Sequence, residues 1–277
     1  MKIPFLADTA PSVEKPGWKL TFQDEFDRPQ LNDMYWFAAY RSGRKEYLKR
    51  TGKESRWTDH NAHYVIEDGI LKLRVDEKLP FRPDKSTQCV SCIQTSDHRF
   101  GATTNEYQIL DKFAQKYGWF EIRCRCPRGE GLLSAFWLHQ HDPTRQEYTP
   151  DGRRRTVGEG VVEIDIIEQQ GRYINDKSSI VDLNIHFTEK GHYQPQVDID
   201  VSQEFHVWAM EWREGQIDWY LDDKVVKTYQ GPTPQDKMFV LLAIFQYSGW
   251  IGNIDQNLTY PRDFEVDYVR VYARDPK

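Results

Sequence analysis

The chain has 277 residues, enough to bury the core of one large domain, and we expect a single domain over 1–277 with its core at about 17–273. The formal net charge of −6 argues against nucleic acid or an anionic membrane as the main partner. No apolar run reaches the ~18 residues of a membrane helix, and the N-terminal apolar segment is too short for a signal peptide. This predicts either a cytoplasmic protein or a secreted or periplasmic one whose signal was trimmed.

Alternation of apolar and polar residues predicts β-strands along most of the chain, beginning with residues 17–27. Residues 64–75 predict two strands around Asp68-Gly69, a dipeptide typical of tight hairpins. Residues 76–105 and 140–160 are polar and predict long loops, the first with at most a poorly placed strand. The remaining strands are expected at residues 105–110, 117–126, 132–139, 161–168, 179–187, 205–211, 216–221, 224–226, 238–246 and 264–272. So many short strands, with turns between them, predict an all-β, two-sheet antiparallel sandwich.

The four cysteines, Cys89, Cys92, Cys124 and Cys126, fall into a C-x2-C pair and a C-x-C pair. A zinc site or disulfides could use this spacing. The second pair lies in a predicted strand with both thiols on one face, which favours free buried thiols. Reduced cysteines would suit a cytoplasmic protein.

Three carboxylates, Glu163, Asp165 and Glu168, are set into a run of branched apolar residues. Such a run predicts a buried strand, in which unpaired carboxylates would be costly. Alternation puts Glu163 and Asp165 on one face and turns Glu168 away. A β-bulge at Ile166-Ile167 would return Glu168 to the face of the other two. Two glutamates brought together in this way could serve as the nucleophile and the acid/base of a retaining glycosidase, with Asp165 modulating their protonation.

The same alternation is also typical of an edge strand with an acidic, solvated face. Spacing alone therefore leaves a catalytic and a purely structural interpretation open. The aromatic content of 14% favours a carbohydrate partner, because exposed rings can stack on sugars, although more than half of the rings are expected in the core.

The order of several motifs resembles glycoside hydrolase family 16, from about Trp18 to Tyr272. The catalytic signature of that family, E-x-D-x-x-E, is matched by Glu163, Asp165 and Glu168. The other matches are, in chain order, W-x-L-x-x-x-D-E-F at residues 18–26, Asp68-Gly69, Tyr117-Gly118-Trp119-Phe120-Glu121, Ala135-Phe136-Trp137 and Val266-Asp267-Tyr268-Val269-Arg270-Val271-Tyr272. The resemblance implies a β-jelly-roll sandwich whose concave face forms an open cleft for an extended polysaccharide.

By position, the resemblance implies that Glu163 is the nucleophile, that Glu168 is the acid/base and that Asp165 assists the nucleophile. It implies internal cleavage with retention of configuration, with no cofactor for catalysis, and we expect a monomer. Glu168 must then start protonated and Glu163 ionised, so we expect neighbouring negative charges to raise the pKa of Glu168.

The family resemblance also implies residues that contact sugar and residues that hold a metal. The expected sugar contacts are Glu106, Gln108, Trp137, His139, Asn184, His186, Phe245, Gln246 and Trp250. Two alternatives stay open, an ordinary inward-facing histidine at 186 and a structural ring at 250. A structural calcium away from the cleft would involve Glu25, the Gly69 carbonyl and Asp267, which supply the oxygen ligands that calcium prefers.

Two departures from the family pattern bear on the substrate. Relatives that cut β-glucans often carry a Trp just before the nucleophile, where this chain has Gly160-Val161-Val162, and their Gly-Gly-x-Trp segment is replaced by residues 246–250. We nevertheless expect an endo-acting β-glycanase on β-1,3- or β-1,3-1,4-glucan, the commonest activity of the family.

Three other functions remain open. The first is an endo-β-galactanase acting on sulfated algal galactan or on keratan- and mucin-type glycan. It is favoured by the missing Trp and by Arg153-Arg154-Arg155, whose guanidinium groups could bind sulfate or carboxylate or simply form a solvated charge run. The others are a transglycosylase and a non-catalytic glycan-binding module, and the second of these would have no need for two correctly spaced glutamates.

Overall fold

The computed structural model of the chain describes residues 12–38, 62–76, 89–100, 107–141, 146–148, 154–156, 162–186 and 191–276. These residues form twenty β-strands and one 3₁₀ turn, Gly171–Tyr173. The strands are β1 Trp18–Asp24, β2 Tyr64–Glu67, β3 Ile70–Val75, β4 Cys89–Gln94, β5 Ser96–Phe100, β6 Tyr107–Asp111, β7 Gly118–Arg125, β8 Leu132–Gln140, β9 Gln146–Tyr148, β10 Arg154–Thr156, β11 Glu163–Gln170, β12 Ser179–Ile180, β13 Asp182–Ile185, β14 His192–Tyr193, β15 Gln196–Val197, β16 His206–Arg213, β17 Gln216–Leu221, β18 Lys224–Gln230, β19 Met238–Gln246 and β20 Arg262–Arg274.

Two large antiparallel sheets contain most of these strands. The eight-stranded sheet has the order β18-β17-β16-β7-β20-β3-β2, and β1 also pairs with β20. The six-stranded sheet has the order β14-β13-β11-β8-β19-β4. Three two-stranded ribbons, β5-β6, β9-β10 and β12-β15, complete the described part of the chain. The predicted all-β, two-sheet antiparallel sandwich is therefore confirmed.

The main hydrophobic core fills the space between the two sheets. Alternate residues of β8 and β19, such as Phe136, Leu138 and Leu242, point into it. They meet the inner face of the eight-stranded sheet, where Trp212 and Trp219 are completely buried. Burying one Phe or Leu side chain contributes roughly 1.5–3 kcal/mol. A slip of one residue would turn these side chains outward, so their burial fixes the register of the strands in the six-stranded sheet.

The outer face of the six-stranded sheet has an apolar half and a polar half. On β4, β8 and β19 it carries a second buried apolar cluster, which includes Leu133, Trp137, Phe239 and Phe245. On β11 and β13 the same face carries acids and amides. The predicted catalytic residues therefore lie in the polar half of this face.

Most of the predicted strands are present, and the errors fall in polar stretches. The hairpin at Asp68-Gly69 is confirmed, with φ values of 53° and 75° that suit its tight turn. Residues 76–105, predicted as a loop with at most a poorly placed strand, contain β4, which pairs along β19, and also β5. Residues 140–160 contain the short β9-β10 ribbon instead of a continuous loop. The single strand predicted over 179–187 is broken at Val181.

Three of the four cysteines, Cys92, Cys124 and Cys126, are buried. The prediction of buried free thiols is confirmed for Cys124 and Cys126, and burial raises the pKa of the Cys124 thiol. The side chain of Cys89 lies outside the described part of the structure. Among the described residues, no helix has the length and apolar character required to span a membrane.

Candidate active site

A β-bulge in β11 brings the three carboxylates to one face. Along the pairing with β8, Asp165 lies opposite Trp137 and Ile167 lies opposite Phe136, so Ile166 is the extra residue. Ile166 and Ile167 are both completely buried in the core between the sheets. Two consecutive inward residues shift the alternation by one, which returns Glu168 to the outer face. The predicted bulge is confirmed.

The bulge is tied to the opposite sheet by a hydrogen bond. The indole Nε1–H of Trp219, on β17, donates to the backbone carbonyl of Asp165 at 2.9 Å. A bulge disrupts the ladder of its strand, so a buried carbonyl beside it needs a partner. Trp219 supplies that partner from across the core.

The side chains of the acids meet one imidazole and one amide from β13 and the residue that follows it. His186 Nε2 lies 3.1 Å from Asp165 Oδ2 and 3.6 Å from Glu163 Oε1. Asn184 donates from Nδ2 to Glu168 Oε2 at 2.6 Å. Asp165, only 2% exposed, lies between the two glutamates along the strand. The five predicted residues of this cluster are therefore neighbours in space.

The electrostatics of the cluster favour a protonated acid at Glu168. Burial, followed by the charges of Asp165, Glu163 and Asp182, raises the pKa of Glu168 well above its usual value. Burial and then the charge of Glu163 likewise raise the pKa of Asp165. A carboxylic acid whose pKa is raised retains its proton to higher pH and can donate that proton to a leaving group.

Several predicted sugar contacts lie on the same outer face, but as buried side chains. Trp137 and Phe245 are 5% and 8% exposed, and their ring centroids are 6.1 Å apart. His139, also buried, lies beside the Phe239 ring, with centroids 5.6 Å apart. Trp250, in the loop after β19, is 47% exposed and can offer a ring to a ligand.

Of the remaining predicted contacts, the structure turns Gln246 away from this face and does not describe the side chains of the other two. Gln246 follows the inward register of β19, is completely buried, and donates from Nε2 to the hydroxyl of Tyr260. Adjacent residues of a strand point to opposite faces, so Phe245 and Gln246 cannot both line one cleft. Glu106 lies outside the described residues, and for Gln108 only its place on the backbone of β6 is described.

The predicted calcium ligands lie near one another, but two guanidinium groups engage their carboxylates. The strand register brings Glu25, Gly69 and Asp267 to the same part of β20. Glu25 accepts two hydrogen bonds from Arg270, at 2.8 and 2.7 Å, and Asp267 accepts one from Arg123 at 2.6 Å. A cation beside each carboxylate repels calcium and takes up the oxygens that would bind it. These residues therefore do not fit a calcium ion.

One group of three side chains in the described part of the chain has metal-ligating atoms close together. It consists of Glu163, Asp165 and His186, whose ligand atoms all lie within 4.8 Å of one another. Two members are the predicted nucleophile and its assistant, and a metal there would block the attack on substrate. We therefore interpret the group as part of an acid site and not as a metal centre.

Two groups next to the acids were missed by the sequence analysis. Asp182, on β13, is completely buried and is the register partner of Glu168. Alternation from Asn184 would have placed Asp182 on the same face, so a sequence signal existed. For Trp219 there was none, because its contact joins residues 54 positions apart in different sheets.

Comparisons with known proteins agree on the kind of protein. The sequence model of glycosyl hydrolases family 16 matches residues 51–270. The beta-glucanase of Rhodothermus marinus is 31% identical over 286 residues, with 94% of this chain and 87% of that protein covered. The endo-1,3-1,4-beta-glycanase ExsH of Rhizobium meliloti is 22% identical over 283 residues, which cover 95% of this chain but 54% of that protein. The chain thus spans about half the length of ExsH.

A solved structure shares the fold. The GlcNAcα1-4Gal-releasing endo-β-galactosidase of Clostridium perfringens superposes with a TM-score of 0.72 and 24% sequence identity, covering 96% of this chain and 66% of that one. At this level of identity the likeness establishes the fold alone.

Proposed function

The chain belongs to family 16 of the glycosyl hydrolases, and on this premise we propose that it is an endo-acting, retaining β-glycanase that hydrolyses internal linkages of a polysaccharide. The observation that carries the proposal is the bulge at Ile166, which gathers Glu163, Asp165 and Glu168 on one face. An acidic face made for solvation would leave its carboxylates in water. Here Asp165 is buried and Glu168 is partly buried, which costs free energy that no stabilising ion pair with lysine or arginine among the described residues offsets.

The proposed reaction has two steps, with the roles that family membership implies. In the first, Glu163 attacks the anomeric carbon while Glu168 gives its proton to the leaving oxygen, so the glycosidic bond breaks and a glycosyl ester forms. In the second, Glu168, now ionised, takes a proton from water, and that water attacks the same carbon and releases Glu163. Two inversions retain the configuration. Interception of the ester by a sugar hydroxyl would give transglycosylation.

The neighbouring side chains have supporting roles in this proposal. Asn184, through its 2.6 Å hydrogen bond, orients the Glu168 carboxyl toward the leaving oxygen. His186 reaches both Glu163 and Asp165 and is 48% exposed, so it can contact a bound sugar as well. Asp165 supplies negative charge between the two glutamates, which favours the proton on Glu168.

The proposed substrate is a β-1,3- or β-1,3-1,4-glucan, acted on by a monomer whose residues 17–273 form one catalytic domain. The choice of substrate rests on the relatives, since the similar proteins of Rhodothermus marinus and Rhizobium meliloti are a beta-glucanase and an endo-1,3-1,4-beta-glycanase.

Hydrolysis by this family needs no cofactor. The structural calcium implied by the resemblance is not part of the proposal, because Arg270 and Arg123 engage the carboxylates that would bind it.

The test is a panel of polysaccharides with two matched variants. Laminarin, mixed-linkage β-glucan, agarose, porphyran, carrageenan, keratan sulfate and mucin are incubated with the protein, and products are separated by chromatography. Oligosaccharide ladders from the glucans are expected, with the β-anomer appearing first by proton NMR. Oligosaccharide ladders from a galactan alone would show that the substrate is a galactan and not a glucan, and the proposed mechanism would stand.

Glu163→Gln should reduce kcat by about 10⁴-fold or more while sugar affinity persists, because only the covalent step is lost. Glu204→Gln, at an exposed glutamate before β16, is the control and should retain full activity. Unchanged hydrolysis by Glu163→Gln would show that Glu163 is not the nucleophile. Binding without hydrolysis by the wild-type protein would make the chain a glycan-binding module.

A further inference from the structure

Asp182 is a fourth carboxylate on the catalytic face. It is the first residue of β13, it is completely buried, and its Cα is the register partner of Glu168 on β11. Directly opposite residues of antiparallel strands have side chains about 4.5–5.5 Å apart at Cβ. The proposed acid/base therefore has a buried carboxylate as its immediate neighbour across the sheet.

Neutral amides hold Asp182 in place. Gln170 donates from Nε2 to Asp182 Oδ2 at 2.9 Å, and Gln194 donates from Nε2 to Oδ1 at 2.6 Å. His192, 57% exposed, has its Nε2 3.5 Å from the same Oδ1. Hydrogen bonds donated to both oxygens stabilise a carboxylate, yet an amide does not cancel its charge as a lysine or arginine would.

The orientation of the Gln170 amide is itself fixed by its other end. Gln170 Oε1 accepts a hydrogen bond from Arg172 Nε at 2.9 Å, which leaves the Nε2 end facing Asp182. Arg172 also donates from Nη2 to the backbone carbonyl of Trp250 at 2.7 Å. Because guanidinium only donates, Gln170 cannot turn its NH₂ group toward Arg172 without losing both contacts.

We propose that Asp182 is a positioning residue for the acid/base: its negative charge, held by the two glutamine amides, keeps the proton on Glu168 until the leaving oxygen takes it. The inference rests on the proposed function for the role of Glu168. The same charge makes Glu168 a stronger base for water in the second step. Asp182 thus acts on both halves of the reaction without touching substrate.

The groups that face Glu168 come from three strands. On β11 itself they are Glu163 and Asp165, and directly opposite Glu168 the strand β8 presents apolar Ala135. From β13 and the residue after it come Asp182, Asn184 and His186. After burial and the two acids of its own strand, Asp182 is the next cause that raises the pKa of Glu168, and His186 opposes it. Asp182 also raises the pKa of Asp165.

The sign of the expected effect follows from this arrangement. Activity requires protonated Glu168 at the start of turnover, so kcat/KM falls as pH rises through the pKa of Glu168. Asp182→Asn removes one negative charge and keeps the shape of the side chain. We expect the alkaline limb of the kcat/KM profile to move to lower pH by about one unit, the order of effect of one near charge. Asp176→Asn is the control, because the Asp176 side chain is 89% exposed and pairs with Arg128. This variant also removes one negative charge, and it should leave the alkaline limb of the kcat/KM profile unchanged.

Two variants at Gln194 test the charge without altering Asp182. Gln194 is exposed, so its substitutions are tolerated by the fold more readily than a change in a buried position. Gln194→Lys places a cation against Asp182 and should move the alkaline limb to lower pH. Gln194→Glu adds an anion and should move it to higher pH. Opposite shifts would show that charge at the position of Asp182 reaches Glu168, and folded variants with unchanged limbs would overturn the inference even if Asp182→Asn fails to fold.

A titration without turnover separates this inference from the proposed function. Protein labelled with ¹³C at glutamate carboxyls is titrated by NMR, and the Glu168 signal is identified as the one missing from Glu168→Gln. A lower midpoint for Glu168 in Asp182→Asn and Gln194→Lys is expected. Folded variants whose midpoint and alkaline limb both equal those of the wild type would overturn the inference. A wild-type protein that hydrolyses nothing in the panel would overturn the proposed function, while the midpoints would still report on Asp182.

Discussion

The hydrogen bond from Trp219 to the bulge gives a direct test of how the fold positions the acids. The Trp219→Phe variant keeps an aromatic ring in the core but removes the N–H that bonds the Asp165 carbonyl at 2.9 Å. That carbonyl would then be buried beside a bulge without its donor. We expect both the stability of the chain and the placement of Glu168 to suffer.

The size of the effect follows from the loss of one buried partner. Leaving a buried carbonyl unsatisfied costs about 1–3 kcal/mol. For a domain of this size, 2 kcal/mol corresponds to roughly 4–8 °C in Tm. A relaxed bulge also moves Glu168 relative to Glu163, and misplacement of a catalytic group by about 1 Å can cost on the order of 100-fold in rate. We expect kcat to fall about 10- to 100-fold with little change in KM.

Trp212→Phe is the matched control for this experiment. Trp212 is completely buried in the same core, and its Nε1 has no hydrogen-bond partner among the described residues. The control therefore loses ring packing without losing a hydrogen bond. Urea unfolding and initial rates are measured for both variants, and the difference between them reports on the bond. Equal losses of stability and of kcat in the two variants would refute the reasoning.

Three further predictions concern the cleft and the calcium ligands. Asn184→Ala removes the 2.6 Å donor to Glu168 and should lower kcat about 10-fold at nearly constant KM; steady-state rates equal to wild type would contradict it. Trp250→Ala removes a ring that is 47% exposed and should raise KM for long polysaccharide about 10-fold, as expected for a lost stacking contact, whereas an unchanged KM would make the ring structural. EDTA and added calcium should leave Tm unchanged in thermal unfolding, because Arg270 already holds Glu25; a fall of several degrees in EDTA would show that calcium binds after all.

The sequence predicts the bulge that gathers the three acids of β11 because the constraint on that strand is local. Ile166 and Ile167 are adjacent and both apolar, so burying both requires a bulge, and the bulge decides which way Glu168 points. The same alternation would have excluded Gln246, since its neighbour Phe245 occupies the outer face. That error came from transferring a family segment as a block instead of applying the two-residue period to it.

Contacts between sheets carry no such local signal. Trp219 looks like any buried residue of an alternating strand, and its role depends on a carbonyl in the other sheet. The ion pairs at the predicted calcium ligands were missed for a similar reason. The two acids, Glu25 and Asp267, were visible, but the guanidinium partners Arg270 and Arg123 reach them only through strand pairing.

Two buried acids on the eight-stranded sheet are compensated differently from the acids on β11 and β13. On the eight-stranded sheet, Glu211 pairs with Arg274 and Asp218 pairs with Arg213. Asp182, by contrast, is met by amides and a histidine, and among the described residues neither it nor Glu168 forms an ion pair with lysine or arginine. Arginine beside these acids would stabilise their ionised forms and remove the proton that the proposed mechanism requires on Glu168. Amide partners satisfy the oxygens and leave the mutual repulsion of the acids in place, and this repulsion favours the proton on Glu168.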